Sequence, residues 1–239
     1  MYGWRAKIGR ISPSPETVAA EEWRRSMPDG VCLVETRALV HDVTMEGLSE
    51  AVEQVERAAL ELASAEVDVI LQAGTAIAFF RGFGHDQELS RRITTATGIK
   101  ATTSLTAVVA ALRALDIRRL AIATSYLAEI DARLTDVLER SGFQVAAIHG
   151  MGLKKSTEMG KVAPEETYRF AKDVARTARE AQGILISCGN LRSFEAIEPL
   201  ETDTGLPVIT SNQAGLWQAL RMAGIKDHLL RLGRLLREY

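Results

Sequence analysis

The chain has 239 residues, 46% of them hydrophobic and 25% charged, with a formal net charge of -2. That balance offers no broad electrostatic attraction to nucleic acid or anionic lipid, and the length suffices for one large domain or for two lobes of roughly 100 to 120 residues each. No apolar run nears the roughly 20 residues that cross a bilayer, and Met1-Tyr2-Gly3-Trp4-Arg5 lacks the layout of a secretory leader, so the expected location is the cytosol, with Cys32 and Cys188 as free thiols.

In chain order, Ala6 to Ile11 and Val31 to Thr36 read as buried strands. From Met45 to Ser64, the residues Leu48, Val52, Val55, Ala59 and Leu62 recur at spacings of three and four, which predicts one sheet-covering helix. A strand over Val67 to Gln72 follows, then helices near Asp86 to Thr97 and Leu105 to Leu115. The second half repeats the alternation: strand Leu120 to Thr124, helix Ala128 to Arg140, strand Gln144 to Ile148 and helix Pro164 to Glu180. It ends with strands Gly183 to Ser187 and Pro207 to Thr210 and a helix over Gln213 to Ala223. Short apolar runs alternating with helical segments predict an α/β protein with parallel strands. No Pro/Ser/Gly-rich linker divides the chain.

Two segments echo each other. Ile70-Leu71-Gln72-Ala73-Gly74-Thr75 and Ile184-Leu185-Ile186-Ser187-Cys188-Gly189 are both apolar strands that end in small and hydroxyl-bearing residues. They point to two related halves, although any α/β chain can give such an echo by chance. Ligands of open parallel sheets bind beyond the carboxyl ends of the strands, so these two turns are where chemistry is expected.

There is no phosphate loop, no dinucleotide glycine fingerprint and no G-x-S-x-G elbow, and His41, His85, His149 and His228 are scattered, so neither a metal nor a cofactor is expected. Cys188 lies at a strand end, before Gly189 and a helix expected to begin near Leu191. That placement predicts an exposed thiol whose pKa is lowered by the helix N-terminus, beside backbone N–H groups able to hold a carboxylate. The alternative is a buried structural cysteine. Cys32, flanked by apolar residues in mid-strand, reads as core. Tyr126 follows a strand and either donates its hydroxyl to a substrate oxygen or simply packs, and Thr75 either donates in the same way or caps the next helix.

The runs Gly74-Thr75-Ala76-Ile77-Ala78-Phe79-Phe80-Arg81-Gly82, Ala123-Thr124-Ser125-Tyr126 and Leu185-Ile186-Ser187-Cys188-Gly189 together resemble the arylmalonate decarboxylases. Asn190-Leu191-Arg192 and Pro207-Val208-Ile209-Thr210-Ser211-Asn212-Gln213 look more like maleate isomerases, and both groups belong to the aspartate/glutamate racemase superfamily. The resemblance implies two Rossmann-like lobes with parallel sheets, related by pseudo-twofold symmetry, with the active site in the cleft between them. The expected division is residues 1–115 plus 213–239 for the first lobe and 116–212 for the second, which carries Cys188.

Racemases and maleate isomerases of this group place a cysteine on each lobe, whereas this sequence has Gly74 at the first-lobe position. A single second-lobe thiol is the arrangement of the decarboxylases. The resemblance therefore implies a cofactor-independent decarboxylase of a 2-substituted malonate, with a small dicarboxylate as its substrate. Thr75, Tyr126 and the backbone N–H groups of Ala76 and Gly189 would form a dioxyanion hole for the enediolate, and Cys188 would protonate it. Pro13 and Ser14 match positions beside the substrate; Val40, Val43, Leu48, Ile77 and Met159 match apolar walls of the pocket. Ala76 replaces a serine of the decarboxylase, Ser14 a proline and Asn190 a glycine, and Ser14 or Ser125 could supply the lost hydroxyl. The alternatives are a maleate cis-trans isomerase or racemase-like enzyme and a non-catalytic carboxylate-binding relative; oligomeric state is left open.

Overall fold

The computed structural model describes residues 2–239 and forms two four-stranded parallel sheets. The first contains β1 (Ala6–Pro13), β2 (Val31–Ala38), β3 (Val69–Gln72) and β4 (Lys100–Thr103) in the order β2-β1-β3-β4. The second contains β5 (Arg119–Thr124), β6 (Gln144–Gly150), β7 (Gly183–Ser187) and β8 (Val208–Thr210) in the order β6-β5-β7-β8. Each sheet thus repeats the same strand order, with β5, β6, β7 and β8 standing where β1, β2, β3 and β4 stand.

The central strands are apolar because both faces are covered: Ile8, Ile70, Leu71, Ile122, Leu185 and Ile186 are all buried. The covering helices are α1 (Val18–Ser26), α2 (Met45–Val52), α3 (Val55–Ser64), α4 (Thr75–Phe79), α5 (His85–Thr97) and α6 (Ser104–Ala114) in the first half. The second half has α7 (Ala128–Arg140), α8 (Ser156–Met159), α9 (Pro164–Thr177), α10 (Phe194–Thr204), α11 (Ser211–Met222) and α12 (Gly233–Glu238). None is long and apolar enough to cross a membrane.

Several expected boundaries move. The helix expected over Met45 to Ser64 is two helices, broken at Glu53-Gln54, where the Gln54 amide turns aside to bond both backbone groups of Leu39 (2.9 and 3.1 Å). Cys32, expected in the core, lies half-buried on the edge strand β2. The strand β4 and the helices α1, α4, α8 and α12 add to the elements read from the pattern, and the helix expected to begin near Leu191 is α10, which starts at Phe194.

The repeat extends to the caps. The last strand of each half runs directly into a helix whose N-cap is a threonine: Thr103 Oγ1 accepts from Thr106 N (3.1 Å), and Thr210 Oγ1 accepts from Gln213 N (3.1 Å) in a full capping box. The two helices so started, α6 and α11, pack against each other where the halves meet.

Two further caps cross between halves. Asn190, just after β7, accepts from Thr17 N and Val18 N (2.9 and 3.0 Å) at the start of α1, which has no cap of its own. Glu22 of α1 returns the arrangement: its Oε1 accepts from Ser193 N and Phe194 N (2.8 and 3.0 Å) at the start of α10.

Candidate active site

In a sheet of order 2-1-3-4 the connections leaving strands 1 and 3 diverge, opening a crevice at their carboxyl ends. Here two such crevices face each other, and one cavity of about 40 Å³ lies between them. From the first half come Pro13 and Glu16 after β1 and Gly74, Thr75, Ala76 and Ile77 after β3; from the second come Tyr126 after β5 and Cys188, Gly189 and Asn190 after β7. Val40, Val43 and Leu48, between β2 and the body of α2, wall one side, and Ser156 and Met159 of α8 wall another. A wider groove of 690 Å³ between α1 and α10 is lined by Glu21, Arg25, Arg192 and Glu195 and holds no thiol.

Cys188 is only 4% exposed. Its Sγ lies 3.7 Å from Met159 Sδ and accepts the Asn190 N–H at 3.4 Å. Burial pushes the thiol up to about 11, although the Ser125 hydroxyl and the Asn190 N–H pull the other way. Both parts of the sequence expectation are therefore corrected: the thiol is buried and its pKa is raised. The physical reason is that α10 starts at Phe194 and not near Leu191, and its first N–H groups are already taken by Glu22.

Gly74 stands at the equivalent point of the other sheet with φ +87°, a left-handed conformation that glycine adopts without strain. A β-carbon there would meet Ile77 and Pro13 at 3.0 Å. Thr75 is the first residue of α4 and not its cap, and its hydroxyl donates to Ser211 Oγ at 2.7 Å. The N–H groups of Ala76 and Gly189 have no hydrogen-bond partner among the described residues.

Tyr126 is buried, with its ring edge-on to Phe79 across the interface of the halves (centroids 6.3 Å apart). Burial and the neighbouring Cys188 push its pKa well above the ordinary phenol value, so the hydroxyl stays protonated and can donate.

Ser14 is not in the cavity wall: its hydroxyl accepts from Val40 N at 3.0 Å and donates to Val40 O at 3.5 Å. Ser125 and Ser187, by contrast, are buried, with their hydroxyls beside the Cys188 thiol and the Tyr126 phenol respectively. Asn190 Nδ2 donates to Ser156 O (2.7 Å) and Ser156 Oγ (3.1 Å), so this amide ties the β7 turn to α8 as well as to α1.

Glu16 and Ser156 were not singled out from the sequence. Glu16 is 2% exposed and pairs with Arg10, itself a buried guanidinium that also holds Glu35 (2.9 Å) and Ser12 (2.5 Å) and lies 5.3 Å from the centre of the Trp23 ring. Burial pushes the Glu16 carboxyl above the usual carboxylate range, and the Arg10 charge opposes that shift. An arginine inside the otherwise apolar run Ile8 to Ile11 was the available signal, because a buried charge requires a partner.

Two repeated α/β halves that close over a single thiol define a protein whose site belongs to neither half alone. The chain belongs to the arylmalonate decarboxylase family, whose model matches residues 20–236. It is 31% identical to the arylmalonate decarboxylase of Bordetella bronchiseptica over 217 residues, which is 91% of this chain and 90% of the relative. It is 30% identical to a maleate isomerase of Nocardia farcinica over 209 residues, 85% of this chain and 82% of the relative. Among solved structures, a liganded arylmalonate decarboxylase mutant with one glycine changed to cysteine and one cysteine to serine superposes with a TM-score of 0.93 at 29% identity. That match covers 98% of this chain and all of the other (100%). A cysteine-to-serine mutant of the Nocardia farcinica maleate cis-trans isomerase, carrying a covalent succinylcysteine intermediate, gives 0.92 at 26% identity, covering 98% of this chain and 99% of the other.

Proposed function

We propose that the chain is a cofactor-independent decarboxylase of a 2-substituted malonate-like acid, in which Cys188 protonates the enediolate. The observation that carries this reading is a lone, buried thiol in a cavity whose other turn presents Gly74. With a value of about 11, Cys188 is a neutral S–H at physiological pH. A neutral thiol gives up a proton, whereas an isomerase or racemase requires a thiolate that adds to a double bond or abstracts an α-proton. Gly74 leaves the facing position without a second sulfur.

In this mechanism one carboxylate of the substrate is held by the Tyr126 and Thr75 hydroxyls and by the unpaired N–H groups of Ala76 and Gly189. The bond from the α-carbon to the other carboxyl group breaks, CO2 leaves, and the electron pair forms the C=C bond of an enediolate. Donors already aimed at the developing negative charge lower the barrier. The α-carbon then takes the Cys188 proton, and the resulting thiolate recovers a proton from water. Where the α-carbon carries two different substituents, one thiol on one face makes a single enantiomer.

A panel of substituted malonates, maleate and amino acids, scored for CO2 release, double-bond isomerisation and α-hydrogen exchange in deuterated water, tests the reading. Release of CO2 is expected, with a single enantiomer formed from 2,2-disubstituted malonates. Isomerisation of maleate, or exchange without CO2 release, would assign the chain to the isomerase or racemase alternatives.

A further inference from the structure

The mechanism above uses the thiol, the phenol and the threonine but leaves one ionisable group in the cavity without a task. Glu16 Oε1 is bound by the Arg10 guanidinium. Its other oxygen, Oε2, has no hydrogen-bond partner among the described residues and lies 2.6 Å from the point where a β-carbon on Gly189 would stand. It therefore overhangs the Gly189 turn, one residue from the thiol, and lines the same cavity.

This carboxylate is held firmly. Arg10 is fixed by Trp23, Ser12 and Glu35, and Glu35 is also approached by Arg24 (3.1 Å) and Arg37 (3.8 Å). Arg37 also donates to the backbone carbonyls of Ser14 (2.9 Å) and Glu16 (2.6 Å), which pins the turn that carries the side chain. Oε2 opens onto the cavity, and a ligand that supplies a donor there gains a charge-assisted hydrogen bond. An apolar substituent would leave the oxygen unpaired, and an added carboxylate would meet like charge.

We infer that Glu16 is a specificity-determining residue and that the acid accepted here carries a hydrogen-bond donor, hydroxyl or ammonium, on its α-carbon, facing the Gly189 turn. The inference deepens the proposed function by naming the substituent, and it rests on that reading for the reaction but not for binding. A donor arriving at Oε2 also favours the ionised carboxylate that Arg10 supports.

The test compares 2-hydroxymalonate, 2-aminomalonate and 2-methylmalonate with the unmodified protein and with Glu16→Gln and Glu16→Ala, measuring both calorimetric dissociation constants and kcat/KM for CO2 release. The unmodified protein is expected to prefer the hydroxyl or amino acid over the methyl acid by about 10- to 100-fold, the range of a hydrogen bond to a charged group. Glu16→Ala should erase the preference. Glu16→Gln, which keeps the shape and guards against misfolding of the alanine variant, should retain part of it for hydroxyl and lose it for ammonium. Equal handling of the three acids by the unmodified protein, a preference that survives Glu16→Ala, or failure of both donor-bearing acids to bind would overturn the inference. If the donor-bearing acids bind selectively but no CO2 is released, the decarboxylase reading fails while the role of Glu16 stands.

Discussion

The turns after β3 and β7 occupy equivalent places in two sheets of the same strand order, yet they are built differently. After β3, Gly74 passes in a left-handed conformation straight into the five-residue helix α4. After β7, Cys188 is followed by Gly189 to Ser193 before α10 begins. The first turn brings backbone N–H groups and the Thr75 hydroxyl close to the cavity; the second brings a sulfur packed against Met159. The same scaffold thus sets Thr75 and the Ala76 N–H on one side of the cavity, and the sulfur with Tyr126 and the Gly189 N–H on the other. In the proposed mechanism, asymmetry of the turns, and not of the fold, is what makes one-sided chemistry available.

The largest effect that would break this comparison is at the sulfur itself. Cys188→Ala is expected to lower turnover by about 10²- to 10⁴-fold, the usual worth of a positioned acid, while the melting temperature stays near that of the unmodified protein. Full activity in that variant would remove the thiol from the mechanism. Alkylation sharpens the same point without mutation. Because only the thiolate reacts, Cys188 should label at least about 100-fold more slowly than half-buried Cys32 at pH 7.5, with the rate climbing about tenfold per pH unit towards 11. Fast labelling of Cys188 would contradict a neutral thiol.

Making the turns alike is the next test. With a 2,2-disubstituted malonate, Gly74→Cys should give a product of mixed hand, seen by chiral chromatography, because a second sulfur then faces the first. It should also cost about 1–3 kcal/mol of stability in denaturant titration, since a side chain at φ +87° is strained and crowds Ile77 and Pro13.

The smallest expected effect concerns the seam between halves. Burial raises Glu22 from its ordinary 4.5 to about 7, so the ionised form is the disfavoured one in the folded protein. Its contribution, about 1–3 kcal/mol, is present in full below pH 4.5 and is lost as pH rises through 7. Glu22→Gln should flatten that slope in stability measured from pH 4.5 to 7.5; an unchanged slope would assign it to other groups.

Much of this was legible in the sequence because large apolar residues marked it. Ala128 to Arg140 is found where its period places it, and the strand ends that carry Gly74, Tyr126 and Cys188 were marked by apolar runs and small residues. Lys100-Ala101-Thr102-Thr103 escaped because β4 takes its place by pairing with β3, with a single apolar residue to announce it. The helix α10 was expected, but its start was placed near Leu191, three residues before Phe194. At the site, the direction of the Cys188 shift was misread because a sequence lists neighbours along the chain, whereas desolvation comes from Met159 and the opposite half. Glu16, between Pro15 and Thr17, carries no mark in the sequence, and only its partner Arg10 makes it a buried residue.

The cavity of about 40 Å³ is close to the room that one water occupies in the liquid, and any dicarboxylate is larger. Its rim is fastened across the halves by Val43 N donating to Lys154 O (3.0 Å) and by the Asp42–Lys154 ion pair (3.3 Å). If substrate enters only when these links part, a measured affinity is the intrinsic one scaled by the fraction of time they are open. A weak dissociation constant would then describe the rim before it described the fit. The ratio between two acids is free of that factor, because both wait for the same door.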